Sequence, residues 1–94
     1  VEKGIEVYRK YFKLGEDSFQ ILEQTSEKVV FKRKDYIDAI AYACDVLGLD
    51  VIEVNNKVYA RTMNLMFQRL DLALKNTVLQ YHAGWYDEMI EIGS

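Results

Sequence analysis

The stretch Leu47-Gly48-Leu49-Asp50-Val51-Ile52-Glu53 decides the fold that the sequence predicts, because it ends one helix and begins the next. Gly48 follows an apolar stripe of helical spacing, at the position where a left-handed residue closes a helix. Asp50 takes the N-cap position of a second helix, and Glu53 follows with the spacing of a capping box. The sequence therefore predicts two helices joined at an angle by a short turn.

The first of these helices is predicted to begin after Asp35. Its apolar stripe consists of Ile37, Ile40, Ala41, Cys44 and Leu47. The second helix is predicted to run to about Leu70 and carries two neighbouring stripes. Val51, Val54, Val58 and Leu65 form one stripe, and Tyr59, Met63, Met66, Phe67 and Leu70 form the other. Because the apolar arc is this wide, we predict that the helix is buried on more than one side.

On either side of the two helices the pattern predicts further elements. Apolar residues at helical spacing predict a helix over residues 2–14, capped by Gly15. Residues 19–21 and 29–31 read as strands, and the polar residues 25–28 between them read as a turn, which together predict a hairpin.

After the second helix, residues 77–81 and 86–92 read as two more strands around a turn at 82–84, with Tyr86, Glu88, Ile90 and Ile92 on one face. The predicted order is α-β-β-α-α-β-β. We therefore predict an α+β fold, with an antiparallel sheet of about four strands packed against a helix hairpin.

Composition limits the class of protein. The 94 residues carry 12 Lys and Arg against 15 Asp and Glu, a net charge of −3, and half of them are hydrophobic. These values predict one globular domain over residues 1–94, without a membrane span and without a basic surface for nucleic acid. The single cysteine fits a cytoplasmic location, and the start at Val1 suggests a trimmed N-terminus. A domain this small is marginal as a monomer, so we predict a homo-oligomer, most simply a homodimer.

Residues that commonly carry chemistry are few and dispersed. Cys44 lies on an apolar stripe and is expected to be a buried small hydrophobe. His82, the sole imidazole, is expected to be solvated in a turn, so neither a metal site nor a cofactor is predicted. Asp87, Glu88 and Glu91 are interpreted as a solvated or edge-protecting strand face rather than as acid–base pairs.

Aromatic and methionine residues form the feature that stands out most. Tyr59, Met63, Met66 and Phe67 on the long helix, with Tyr81, Trp85 and Tyr86 around the last turn, can line an adaptable apolar pocket. Arg61 can anchor an acidic head group there or be solvated or salt-bridged, and Asn55, Asn56 and Asn64 can orient a ligand or face water. Ordinary core and a subunit interface are the alternatives for the same residues.

Four segments together resemble a group of small prokaryotic domains. Residues 28–31, 43–50, 69–71 and 85–92 are similar to the L-2-amino-thiazoline-4-carboxylate hydrolase-like domains and the four-vinyl-reductase-like small-molecule-binding domains. The resemblance covers residues 16–92 and implies an α+β fold with a largely apolar internal pocket, used more for binding or sensing than for catalysis. Tyr36 and Tyr86 stand where members often carry cysteines, so the resemblance transfers no nucleophile and no metal ligand.

Three functions remain open on this basis. We expect a self-associating domain that binds or senses an apolar or aromatic small molecule. The alternatives are a hydrolase of a small heterocyclic or amide substrate and a structural interaction module. A titratable base in a cleft would favour the hydrolase, a closed apolar cavity the binding domain, and a flat apolar face the interaction module.

Overall fold

A computed structural model describes residues 2–12, 19–34, 39–82 and 84–93. Helix α1 spans Glu2–Phe12, strands β1 and β2 span Phe19–Gln24 and Lys28–Lys34, and helix α2 spans Ala39–Leu47. A long helix follows without a break, composed of α3 (Val51–Asn55), a π-helical segment (Asn56–Ala60) and α4 (Arg61–Arg69). Strands β3 (Leu74–His82) and β4 (Trp85–Ile92) come last. The predicted α+β fold and its element order are confirmed.

The turn between α2 and α3 has the predicted capping chemistry. Gly48 adopts a φ of +69°, and the amide of Leu49 donates to the carbonyl of Cys44 over 2.8 Å, as in a Schellman motif. Oδ1 of Asp50 accepts from the amides of Ile52 and Glu53 at 2.9 and 3.3 Å. The predicted caps Asp35 and Gly15, and residues 13–14 of the predicted first helix, lie outside the described residues.

All four strands pair antiparallel in the order β1-β2-β4-β3. In this register Phe31 of β2 lies opposite Glu88 of β4, and Arg33 lies opposite Tyr86. Strand β4 is therefore central and is paired on both sides. The prediction that Glu88 belongs to a solvated or edge-protecting face is wrong, because the strand order, which depends on long-range pairing, places it in the interior.

The helices cover one face of the sheet. The main core cluster consists of Ile5, Val7, Tyr8, Phe19, Val29, Phe31, Met63, Phe67, Leu74 and Ile90. Helix α1 comes close to the sheet at Gly4, where an added Cβ would lie 2.9 Å from Cδ1 of Leu74. Tyr8 packs edge-on against Phe31, with ring centroids 5.2 Å apart.

The long helix buries one stripe rather than two. Met63 and Phe67 are buried, whereas Val58 and Leu65 of the other predicted stripe remain 55% and 53% exposed. The prediction of burial on more than one side is therefore wrong at Val58 and Leu65, whereas Val51, at the start of the same stripe, is partly buried against the core.

The long helix also closes one edge of the sheet. Asn56 donates from Nδ2 to the carbonyl of Val78 over 2.9 Å and accepts from the amide of the same residue over 2.8 Å. Asn64 accepts from the amide of Asn76 over 2.7 Å. These bonds satisfy backbone groups of β3, next to a bulge between Val78 and Gln80, that would otherwise be open to another strand.

The last hairpin differs from the prediction at its boundaries. Strand β3 begins at Leu74, earlier than predicted, and includes His82, which the prediction placed in a turn. Gly84 adopts a positive φ of +91° in this turn. Tyr86, Glu88 and Ile90 share the buried face as predicted, but Ile92 is exposed at the end of β4.

Candidate functional site

A polar cluster lies between the sheet and the long helix. Both Nε and Nη2 of Arg33 lie 2.9 Å from Oε1 of Glu88, and Glu88 has no exposed surface. The hydroxyl of Tyr59 donates to Oε2 of Glu88 over 3.2 Å. The Arg33 guanidinium lies over the rings of Tyr59 and Tyr86, with its Cζ 4.4 and 5.0 Å from their centroids. The ion pair is thus surrounded by aromatic rings.

The π-helical segment positions the helical side of this cluster. A wider turn over Asn56–Ala60 accompanies the inward placement of Asn55, Asn56 and Tyr59. Nδ2 of Asn55 donates to the carbonyl of Val51 over 2.9 Å and lies 3.4 Å from the hydroxyl of Tyr86. The polar residues that the sequence predicted as ligand-orienting points therefore satisfy the protein's own backbone and side chains.

Burial shifts the titration of three groups in the cluster. Desolvation raises the pKa of Glu88 above its ordinary 4.5, against the opposing effects of the Arg33 charge, of hydrogen bonds from Arg33 and Tyr59, and of the nearby Asn76 amide. Burial, reinforced by the Glu88 charge, raises the pKa of Tyr59 well above its ordinary range. The pKa of Tyr8 is raised mainly by burial and further by neighbouring Tyr59.

Asn76 is the least satisfied member of the cluster. Its side chain is 2% exposed and lies close enough to Glu88 to favour the carboxylate. Among the described residues no donor lies in hydrogen-bonding geometry with its Oδ1. The cluster is closed as well as buried, so a substrate would have to displace a core side chain to reach the Glu88 carboxylate.

The predicted pocket residues occupy different parts of the molecule. Met63 and Phe67 are fully buried in the core, and Tyr59 and Met66 pack against it. Tyr81 lies in a smaller cluster against Tyr86, with ring centroids 4.8 Å apart.

Trp85 and Arg61 lie apart from that group. The Trp85 ring is contacted by the ammonium groups of Lys32 and Lys34, at 4.9 and 5.7 Å from its centroid, and Arg61 is exposed. The structure therefore brings the helical members together as core and separates the tryptophan and the arginine from them.

Arg33 is the cluster residue that the sequence interpretation missed, together with Tyr8. In β2 the residues Val29, Phe31 and Arg33 alternate with half-buried neighbours, and all three are buried. The period-2 pattern thus contained the signal, because an arginine in phase with two buried apolar residues faces the core. A buried arginine in turn requires an acidic partner, which points to Glu88.

Cys44 and His82, the two residues weighed for nucleophilic or metal chemistry, lie in different environments. Cys44 is 3% exposed, as predicted for a buried small hydrophobe. His82 is exposed and its Nε2 lies 2.8 Å from Oε1 of Gln80. Among the described residues no group of three or more His, Cys, Asp or Glu side chains is arranged to hold a metal ion.

Several depressions of different size in the described surface are open to solvent. One of about 530 Å³ lies at the β1–β2 turn, beside Glu91 and Ile92. Another of about 200 Å³ lies between α2, α3 and β3. Tyr81, which lines the latter, is the predicted pocket residue that these depressions include.

Helix α2 carries three large apolar side chains that are exposed to solvent. Tyr42, Val46 and Leu47 are 73%, 64% and 68% exposed, and Leu49, which follows the helix, is 53% exposed. Tyr42 and Val46 lie one helical turn apart and so form one row, beside a second row of Ala43 and Leu47. Only Cys44 of this helix is fully buried among the residues whose side chains are described.

No helix in the described residues is long and apolar enough to cross a membrane. Comparisons of the chain with protein-family models, with curated proteins and with solved structures returned no match.

Proposed function

We propose that this domain is a protein-interaction module that associates with a second copy of itself through the apolar rows of α2. The observation that carries the proposal is the exposure of Tyr42, Val46 and Leu47 on one short helix. Burying a side chain of this size stabilises by about 1.5–3 kcal/mol, so leaving three of them in water is a substantial cost for a small domain.

The composition of the face favours a second copy as the partner. Asp45 is the only charged residue of Ala39–Leu47, although the chain as a whole carries a net charge of −3. The apolar rows themselves therefore contain no charge that would repel a second copy. A two-fold contact needs only this one self-complementary surface, whereas a different partner needs a second surface of matching shape.

The expected association is weak. A patch of this kind amounts to about 300–600 Å², below the ~800 Å² per partner of a standard stable interface. We therefore expect a reversible dimer at micromolar concentration. Dimerisation by pairing of sheet edges is disfavoured. Asparagines close the edge of β3, and a bulge between Ile21 and Glu23 interrupts β1.

The other two predicted functions rest on different features. The predicted hydrolase would need Glu88 or another acid in an accessible cleft, and Glu88 is enclosed by the core. Small-molecule binding is supported by the depression beside α2, which is lined by Asp45, Tyr81 and apolar side chains.

Sedimentation equilibrium of the chain across the micromolar range tests the proposal. The wild type is expected to approach twice its 11.0 kDa mass, and Val46→Asp is expected to remain monomeric. Leu65→Asp is the matched control, because Leu65 is similarly exposed on α4 and should not affect association. A wild type that stays monomeric, or a control that dissociates as completely as Val46→Asp, would refute the α2 interface.

A further inference from the structure

A small depression lies where helix α2 meets the start of α3 and the end of β3. Its volume is about 200 Å³, and it is lined by Ala41, Cys44, Asp45, Leu49, Val51 and Tyr81. Pockets for drug-sized ligands begin near ~300 Å³, so this depression can hold only a compact ligand or part of one.

Among the described residues, its lining combines one negative charge with one aromatic ring and apolar walls. The Asp45 side chain is exposed, and no cationic side chain of the described residues lies within ion-pair distance of it. The Tyr81 ring is half-buried and is held by Tyr86, tilted by 51° at a centroid distance of 4.8 Å. The remaining walls are aliphatic except for the buried thiol of Cys44.

We propose that this depression binds a small organic cation, a quaternary or alkylated ammonium with a short aliphatic body. Aromatic faces attract such cations, and weakly hydrated methyl groups on nitrogen also gain from apolar walls. The Asp45 carboxylate completes the recognition and repels carboxylate and phosphate ligands. The net charge of −3 favours the approach of cations in general.

The inference does not depend on self-association. Asp45 borders the apolar rows of α2, but the depression lies on the side of the helix that faces α3 and β3. A chain that binds the cation and stays monomeric would refute only the proposed dimer. A chain that dimerises but does not bind the cation would refute only this site.

The first test titrates the chain with choline and with 3,3-dimethylbutan-1-ol, which has the same shape without the charge, and follows backbone amide shifts by NMR. We expect choline to bind at least about 5-fold more tightly and to shift amides around Asp45 and Tyr81. Equal affinity for the two compounds, or shifts confined to other parts of the chain, would overturn the proposal.

The second test uses substitutions. Asp45→Asn and Tyr81→Leu should each weaken choline binding by about 5-fold, whereas Tyr81→Phe should keep it because the ring is retained. Glu23→Gln removes the same charge from β1 and should have little effect. Wild-type affinity in Asp45→Asn, or an equal loss in Glu23→Gln, would show that the carboxylate beside α2 is not the recognition group. Circular dichroism confirms that each variant is folded.

Discussion

Arg33 and Glu88 form a diagonal ion pair across β2 and β4, two residues away from direct opposition in the register. The pair is inside the core, with the Arg33 side chain 8% exposed. Buried ion pairs are costly to desolvate, and they contribute stability only when both partners and their hydrogen bonds are present. Removal of either partner should therefore destabilise the fold, because the other is left buried without its counter-charge.

Arg33→Met should destabilise the fold by about 3–5 kcal/mol at neutral pH, because it leaves the Glu88 charge buried without its partner. Arg33→Met combined with Glu88→Leu should cost less than Arg33→Met alone, since the double change removes both charges. Urea denaturation of the single and double variants measures the difference. Additive losses would contradict a direct coupling between the two residues.

The free energy of unfolding should depend on pH because Glu88 titrates with a different pKa in the folded and unfolded states. Because burial raises its folded-state pKa above the ordinary 4.5, the folded state binds the proton more tightly than the unfolded state does. The stabilisation of the fold by protonated Glu88 is fully present below about pH 4.5 and is lost as the pH rises through the folded-state pKa. We expect the stability of the wild type to fall over this window relative to Glu88→Gln. Parallel pH profiles of the two proteins would contradict the raised pKa.

Asn56→Ala should destabilise the fold by about 1–3 kcal/mol, because the amide and carbonyl of Val78 both lose their partner. It should also increase aggregation, since it opens the edge of β3. Thermal denaturation and light scattering measure the two effects. Gln68→Ala, at an exposed position of α4, is the control and should change neither.

Gly48→Ala should destabilise by about 1 kcal/mol, because Gly48 has a φ of +69° and a Cβ is unfavourable there. Apart from its own chain neighbours, no atom of the described residues lies within 4 Å of the added Cβ, so the cost is conformational rather than a clash. Gly93→Ala, where the nearest atom lies at 3.9 Å, should be close to neutral in the same denaturation experiment. A wild-type melting temperature in Gly48→Ala would contradict the capping role.

The element order was predictable because its signals are local. Gly48 and Asp50 end and begin helices by chemistry that involves only their near neighbours, and the structure confirms both. The central place of β4 depends on pairing between distant strands, which residue alternation does not specify. For that reason the sequence interpretation found the correct face for Glu88 but assigned it the wrong environment.

The candidate site was less predictable than the fold. The stripe that contains Met63 and Phe67 indicates burial, but core, interface and pocket all require apolar residues. The exposure of α2 was not predictable, because the apolar stripe from Ile37 to Leu47 is typical of a packed helix. It is evident only when the described sheet and helices leave Tyr42 and Val46 in solvent.

The π-helical segment is the part of the long helix that can absorb a change in length. A π turn holds about one residue more than an α-helical turn, so deleting one residue between Asn56 and Ala60 would restore the α-helical repeat and leave Arg61–Arg69 close to its present orientation. A deletion between Arg61 and Met63 would instead rotate the rest of α4 by about 100°, so that Asn64 would turn away from β3 and Phe67 would turn out of the core. Related chains should therefore vary in length at the π-helical segment more readily than within α4.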